Sequence, residues 1–338
     1  MEDLKQYPIS IGEVIRARQM IATRMPVSQL IYYPILSQVL GFDVYVKHEN
    51  QNVTGSFKIR GGLNVMAHIQ AKGIAGVVTF STGNHGLSVA YAAKQFGLPA
   101  IVVVPEGANP AKMRLMQAAG ATVLARGKNF DESALVVADI CTERGYYYIH
   151  PANEPHLING VGSEFIEVLE QQPDINAVIL PLGGGSEVAA ASVVFQALKP
   201  QVEIYAVQAK ASSAAYQSWK SQQICQSDNQ TFAGGFATGT AYELTFGLYR
   251  RSLSDFVLLQ ENEILQGIAL AGHYTHQLLE GAGASTLMAA IKLRTRLRGK
   301  KVMLQFSGAN ASSDEIQQAY GLPEFSQGIA HSNTFSLV

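Results

Sequence analysis

The stretch Gly76–Pro105, GVVTFSTGNHGLSVAYAAKQFGLPAIVVVP, decides the fold. Val77–Phe80 and Ala100–Val104 are continuous apolar runs of strand length, and the residues between them, NHGLSVAYAAKQFG, have the spacing of an amphipathic helix closed by Gly97. A strand, a helix and a second apolar strand in succession make a βαβ unit, whose strands run parallel and are buried on both faces.

The pattern extends in both directions. Upstream lie DVYVKHE and SFKIRGGLNVMAHIQ; downstream lie PAKMRLMQAAG, ATVLARG and DESALVVADICTERG, punctuated by Gly73, Gly120 and Gly145. This block, residues 43–148, is expected to form a small α/β domain. A second series follows: a helix around NGVGSEFIEVLEQQ, the strand NAVILPL, a helix from Ser186 to Leu198, the strand EIYAVQA and a helix over the Ser212–Gln222 region. It continues with the strand FVLLQ, the helices ENEILQGIALAGHYTHQLLE and ASTLMAAIKLRTRL, and the buried-type strand KVMLQF. Between Ile9 and Met25 the apolar spacing is helical up to Pro26, and no sheet pattern precedes residue 43. Residues 1–42 are therefore expected to join residues 149–338 in a large domain, with the small one inserted. Ile224–Thr245 has no clear period and reads as a loop facing the site, and the polar tail after Leu322 is expected to be loosely held.

At 338 residues, 47% hydrophobic and 15% charged, the chain is too long for one ordinary core and too apolar for disorder. A net charge of −1 gives no basic field, so neither nucleic acid nor an anionic membrane is an expected partner; the cluster Arg294–Lys301 reads as a helix end. Cys141 and Cys225 are the only cysteines and lack a partner pattern, which fits a reducing compartment and excludes a Cys-based zinc site. MEDLKQYPIS has no signal-peptide pattern, and no run of about eighteen apolar residues occurs, so a cytoplasmic location is expected.

Three glycine-rich turns stand where strands give way to helices, the place where α/β sheets bind ligands. FSTGNHG (Phe80–Gly86) offers the hydroxyls of Ser81 and Thr82, Gly83, Asn84, His85 and helix-start amides to a carboxylate. The His85 side chain alone reads as a satisfied helix-start histidine. LPLGGGSE (Leu180–Glu187) places Gly183, Gly184, Gly185 and Ser186 before a helix, an arrangement suited to phosphate. A dinucleotide is disfavoured, because Val188 stands where a third glycine would be and Gln208 where an acid for the ribose is expected. QFSGAN (Gln305–Asn310) is a third, weaker turn. Upstream, HENQNVTGSFKIRGG (His48–Gly62) puts Lys58 at a helix start. A lysine carried into a cleft there loses affinity for its proton, and its neutral amine can form a Schiff base.

With these motifs in order, the chain resembles pyridoxal-phosphate enzymes of the tryptophan-synthase-β type (fold type II), within them the threonine/serine dehydratase and serine racemase group. KHENQNVTGSFKIRGG is similar to the family's Schiff-base segment, which implies Lys58 as the attachment lysine and Phe57 against the cofactor. FSTGNHG is similar to the substrate-carboxylate loop, with Asn84 also on the cofactor's 3′-oxygen. LGGGS resembles the tetraglycine phosphate loop, Ser186 replacing the fourth glycine, and FSGAN resembles the SGGN segment, which implies Ser307 opposite the pyridine nitrogen. The fold so implied is α/β, two open twisted mainly parallel sheets flanked by helices, with the active site between the domains and pyridoxal 5′-phosphate bound by the larger.

The activity so implied is β-elimination of a small hydroxy amino acid such as L-threonine or L-serine to a keto acid and ammonia, by a homodimer. Racemisation of serine or aspartate is the alternative, with Thr82 where racemases carry a serine. Hydroxyectoine-derived substrates or 3-hydroxyaspartate are others, and a cofactor-binding protein without turnover is a reading from another class. A β-replacement synthase fits less well, since Ile59 and Arg60 follow the lysine in place of an acid. Gln208 stands where racemase-like members carry a metal-ligating acid, so no metal is expected. Glu280 in EGAGAS resembles the family's EPAGA and reads as structural or near the cofactor, whereas GGFATGTAYELTF matches the DGLAV segment only faintly. The chain ends before any C-terminal regulatory domain of the biosynthetic dehydratases, so feedback inhibition by isoleucine is not expected.

Overall fold

A computed structural model of the protein describes residues 6–128 and 130–329. Its first half contains α1 (Ile11–Ile21), β1 (Leu30–Tyr32), α2 (Pro34–Leu40), β2 (Asp43–Lys47), α3 (Lys58–Ala71), β3 (Val77–Phe80), α4 (Asn84–Gln95), β4 (Ala100–Val104), α5 (Pro110–Ala118), β5 (Thr122–Ala125), α6 (Phe130–Arg144) and β6 (Tyr147–Tyr148). The second half contains α7 (Pro155–Gln171), β7 (Ala177–Pro181), α8 (Ser186–Leu198), β8 (Glu203–Ala209), α9 (Ala214–Ser221), α10 (Glu243–Tyr249), β9 (Leu253–Leu259), α11 (Glu261–Thr275), α12 (Gly281–Leu297), β10 (Lys301–Gln305), α13 (Ser313–Tyr320) and α14 (Pro323–Gln327).

The strands form two sheets, in the orders β1-β2-β10-β7-β8-β9 and β5-β4-β3-β6. All neighbours are parallel except β1, which runs antiparallel to β2. The central strands AIVVV, AVILP and KVMLQ are almost wholly buried, as parallel strands covered on both faces must be. One apolar core runs without a break from the small sheet (Val77, Val102) through α3, α4 and α7 to the large sheet (Val178, Leu180, Met303). A second core lies under the opposite face of the large sheet, where Val44, Val46 and Tyr205 meet α11 and α12.

Strand β2 corrects the expected domain boundary. It lies in the six-stranded sheet, with Asp43 opposite Lys301 and Lys47 opposite Gln305, so residues 43–47 do not belong with β3–β6. Alternation of strands and helices marks βαβ units but carries no information on which sheet a strand joins, and the partner of β2 lies near the other end of the chain. Nor are residues 1–42 without a strand, since β1 pairs with β2. Three elements also differ from the sequence reading. The stretch Ile224–Thr245 runs into a short helix, α10. Helix α11 stops at Thr275, where His276 turns left-handed, φ +57°. Beyond Leu322, helix α14 packs on α11 and α13, with Glu324 bonded to Gln266 and Phe325 stacked on Tyr320; residues 330–338 of the expected tail lie outside the described residues.

Helix α3 is the element between the two sheets, packed on α4 on one side and α7 on the other. The crossing with α7 is close because both helices present glycine: a Cβ at Gly160 would lie 2.6 Å from the Arg60 carbonyl oxygen and 2.9 Å from the Gly61 Cα. Gly160→Ala is expected to cost about 1–3 kcal/mol, because backbone must move to admit one carbon. Gly247→Ala in α10, where an added Cβ meets nothing within 4 Å, is expected to be neutral or stabilising. Urea midpoints of the two variants check this.

Candidate active site

After β2 the chain makes a short 3-10 turn (Glu49–Gln51) and then zips onto the exit of β10. Asn50 N–H donates to the Phe306 carbonyl at 2.8 Å, Phe57 N–H to the Ser307 carbonyl at 3.0 Å and Ala309 N–H to the Gly55 carbonyl at 2.9 Å, and Ser56 bridges Gly308. These main-chain bonds place Lys58, the first residue of α3, against the segment that carries Ser307. The Lys58 amine donates to Ser186 Oγ at 2.7 Å and stands 4.6 Å from the centre of the Phe57 ring. Burial pushes that amine down to about 8, against the upward pull of Glu187, Glu164 and Glu280.

Two residues further, the fully buried Arg60 guanidinium grips two carboxylates. Its Nε and one terminal nitrogen donate to Glu49 at 2.8 Å each; its terminal nitrogens reach Glu167 at 2.9 and 2.7 Å and Ser163 Oγ at 3.0 Å. Lys47 adds a bond to Glu167 at 2.8 Å. Burial alone would raise the Glu49 carboxyl, but the Arg60 charge and hydrogen bonds outweigh it and hold Glu49 down at about 2. Bidentate contacts of this kind fix direction as well as position, so the start of α3 has little freedom.

Between β7 and α8 the glycine loop is built to cradle an anion. Gly185 caps α8 at φ +84°, and a Cβ on Gly183 would run into the Gly235 carbonyl oxygen. The Gly184 carbonyl accepts from Thr245 Oγ1 at 2.9 Å, and α8 begins directly after the loop with N-terminal amides suited to an anion. These residues fit the phosphate of pyridoxal 5′-phosphate. Beside Gly308 runs an amide chain: Asn310 Nδ2 donates to Asn84 Oδ1 at 2.7 Å, and Asn84 Nδ2 to Glu280 Oε1 at 2.6 Å. Burial raises the Glu280 carboxyl to about 7 although Asn84 pulls it down. Ser307 is buried where β10 ends.

In the loop Ser81–His85, Ser81 Oγ accepts from Gly83 N–H at 3.2 Å, and Thr82 is exposed. The His85 side chain is satisfied within the fold. Its Nε2 lies 3.0 Å from Thr79 Oγ1 and 3.2 Å from the Ile149 carbonyl, so the ring is spent on the small sheet and burial pushes it down to about 3. Its main-chain N–H, near the start of α4, is what remains for a ligand. Gln208 accepts from Tyr216 N–H at 3.2 Å and serves the turn after β8. Beside Gly184 stand Ala152 and Tyr242, and the Tyr242 ring meets His150, whose Nδ1 accepts from Ala152 and Asn153 N–H at 3.0 and 2.9 Å.

Sequence reasoning missed one group. Gln305 Nε2 donates both to Glu164 Oε2 at 3.1 Å and to Glu187 Oε1 at 2.9 Å, all three residues being buried. Burial raises Glu187 to about 8 and Glu164 well above the carboxylate range. The signals were there: Gln305 interrupts the apolar run KVMLQF, and Glu164 sits on the apolar face of its helix.

A family model described as pyridoxal-phosphate dependent enzyme matches residues 23–308. The L-threonine ammonia-lyase of Thermotoga maritima is 33% identical over 312 residues, covering 92% of this chain and 78% of the relative. Among solved structures, maize serine racemase superposes with a TM-score of 0.88 at 26% identity, covering 93% of this chain and 97% of the other. The processed form of threonine deaminase isoform 2 from Solanum lycopersicum gives 0.83 at 27%, covering 94% and 96%.

The buried carboxyls and imidazoles predict the pH dependence of stability. Glu164 is raised well above 4.5, Glu280 to about 7 and Glu187 to about 8, so the stability they lend is complete below about 4.5 and is lost as pH rises, through 7 for Glu280 and 8 for Glu187. His48, His85 and His156 are depressed from 6.5 to about 4, 3 and 3, so theirs is complete above 6.5 and lost as pH falls. The urea midpoint of the cofactor-free protein is therefore expected to be flat between about 4.5 and 6.5 and to fall toward pH 8, with a gentler alkaline fall in Glu164→Gln.

Proposed function

We propose, starting from the fact that the chain belongs to the family of pyridoxal-phosphate-dependent enzymes, that it is an ammonia-lyase converting a small hydroxy amino acid, L-threonine or L-serine, to a 2-keto acid and ammonia. The observation that carries this reading is the Lys58 amine, held near neutrality by burial and bonded to the last residue of the glycine loop. When bound, pyridoxal 5′-phosphate supplies an aldehyde for imine exchange and an electron-accepting ring.

This chain's residues supply the rest. Gly183, Gly184, Gly185 and Ser186 would hold the phosphate at the N-terminus of α8, with Phe57 beside the ring and Ser307 for its nitrogen. A hydroxyl there would carry no charge to keep that nitrogen protonated, so prompt loss of a β-substituent would be favoured. Asn84, fixed by Glu280 and Asn310, would serve the ring oxygen; Ser81, Thr82, Gly83 and the amides of Asn84 and His85 would receive the substrate carboxylate. Lys58 Nζ, as a free amine, would be the base that takes the Cα proton. The β-hydroxyl gains a proton and leaves as water, and a second water adds at the former Cα to release ammonia and the keto acid, so atoms balance.

The likeness to maize serine racemase supports a second reading, racemisation, with the exposed Thr82 hydroxyl acting on the face of Cα opposite Lys58. Chiral analysis of recovered substrate separates the two, since elimination consumes it and racemisation inverts it. We further infer a homodimer in the cytoplasm. Tyr32, Ile35 and Val39 stand exposed along the edge strand β1 and helix α2, an apolar face suited to a second copy. Cys141 and Cys225 carry thiols, in keeping with a reducing compartment. Among the described residues no helix is long and apolar enough to cross a membrane.

Keto-acid release from L- and D-serine, L-threonine and the 3-hydroxyaspartates tests the reading. Turnover is expected with at least one L-hydroxy amino acid, and Lys58→Ala is expected to lose about 10³-fold or more of it. Borohydride should fix the cofactor on Lys58 in the wild type and not in the variant. Unchanged turnover in Lys58→Ala removes that amine from the chemistry.

A further inference from the structure

Strands β7 and β10 run side by side in the large sheet, with Val302, Met303 and Leu304 opposite Ala177, Val178 and Ile179. Past that register they part. Strand β7 leads into the glycine loop and α8, and β10 into Phe306 and Ser307, so two anchor points of the candidate site hang on the ends of neighbouring strands. One side chain reaches across the gap. The Gln305 amide nitrogen gives one hydrogen to Glu187 Oε1 at 2.9 Å, in the first turn of α8, and the other to Glu164 Oε2 at 3.1 Å, on α7. Gly185 stands at the N-cap of α8 and offers no capping side chain, so the Gln305 bond meets a helix start that lacks the usual anchor.

These bonds close a ring. Glu164 lies one turn from Glu167 on α7, and Arg60 grips Glu167 at 2.9 and 2.7 Å. Arg60 is two residues from Lys58, whose amine donates to Ser186 Oγ at 2.7 Å, and Ser186 adjoins Glu187 in the chain. Gln305 joins this ring to Ser307, two residues on, whose carbonyl accepts from Phe57 N–H at 3.0 Å. The arrangement is costly to the fold. Gln305 Oε1, Glu164 Oε1 and Glu187 Oε2 are buried without a hydrogen-bond partner among the described residues, and apolar side chains of similar volume would pack there without that penalty.

We propose that Gln305 is a brace that sets the spacing of the glycine loop from Ser307, by tying the first turn of α8 and helix α7 to the end of β10. It acts through Glu187 and through its own strand and is a positioning residue. Its N–H groups donate to the carbonyl oxygen of a protonated acid as well as to a carboxylate, so the brace holds in either protonation state of Glu164 and Glu187. The inference rests on the reading of Gly183, Gly184, Gly185 and Ser186 as the phosphate cradle and of Ser307 as the partner of the ring nitrogen, and adds what keeps the one at a fixed distance from the other. A brace of this kind differs from a part that stabilises the fold: without it the two loops loosen and the cofactor binds more weakly, while the fold loses nothing.

The test uses the full chain freed of cofactor and three measurements: the urea midpoint at pH 8, backbone hydrogen exchange over residues 182–187 and 306–309, and the Kd for pyridoxal 5′-phosphate by fluorescence titration. In the triple variant Glu164→Met, Glu187→Met, Gln305→Met the midpoint is expected to stay at or above that of the wild type. Exchange in the two loops is expected to rise and the Kd to increase about tenfold, the equivalent of one lost hydrogen bond. Glu187→Gln, which keeps an oxygen for the Gln305 amide, is expected to hold the Kd within about twofold of the wild type, whereas Glu187→Met raises it about tenfold. If the triple variant does not fold, that pair of single variants carries the test. Wild-type Kd and loop exchange in the triple variant overturn the proposal, as does an equal Kd in Glu187→Gln and Glu187→Met. A fall in the midpoint with exchange rising along the whole chain overturns it too, since the trio would then be a stabilising element. A wild type that binds no cofactor would overturn the proposed function instead, while exchange in the two loops would still read the brace.

Discussion

The grip of Arg60 on Glu49 and Glu167 is the constraint on which the site depends. Glu49 belongs to the turn after β2, Glu167 to α7, and Arg60 to the first turn of α3, so one guanidinium ties three separate parts of the chain at the point where the two sheets meet. A charge this deeply buried is tolerated because every side of it is answered, by two carboxylates and two hydroxyls. Removing one partner would strand the others, which is the condition under which buried ion pairs are costly to break. Lys58 lies two residues away, so its direction is inherited from that grip.

The same layer explains why the site can hold a nearly neutral amine without collapse. Where cations and anions are matched, ionisation is complete and the structure is rigid. Where carboxyls outnumber cations, at Glu164, Glu187 and Glu280, burial favours protonated acids. An amine set between these regimes gives up its proton near neutrality instead of near 10.5. Fold and chemistry are joined here by the count of buried charges.

Much of this was legible in the sequence, and the remainder was hidden for physical reasons. Continuous apolar strands and glycine-closed helices gave the α/β class, and each glycine-rich turn, Phe80–Gly86, Leu180–Glu187 and Gln305–Asn310, lies at the end of a parallel strand. Period and turn chemistry are local properties, so they survive in the string of letters. Pairing is not local: nothing in DVYVK says that it will lie beside KVMLQ. The His85 ring reads in the sequence as a satisfied helix-start histidine, but its partners, Thr79 and the Ile149 carbonyl, are set by the small sheet and are not local. The Glu164–Gln305–Glu187 grouping was not legible because its members come from the face of α7, the end of β10 and the first turn of α8, brought together only by packing around the large sheet.

The order β1-β2-β10-β7-β8-β9 bears on how the chain is made. The strand between β2 and β7 is the last of the ten to leave the ribosome, about 250 residues after β2 and, at roughly 5–20 residues per second, some ten to fifty seconds later. Until then β2 and β7 each present an open edge to whatever else is unfolded nearby, whereas β3–β6 are contiguous in sequence and can pair as soon as they emerge. The nascent protein thus passes through a stage with one finished sheet and one missing its middle, which is where chaperones have most to protect.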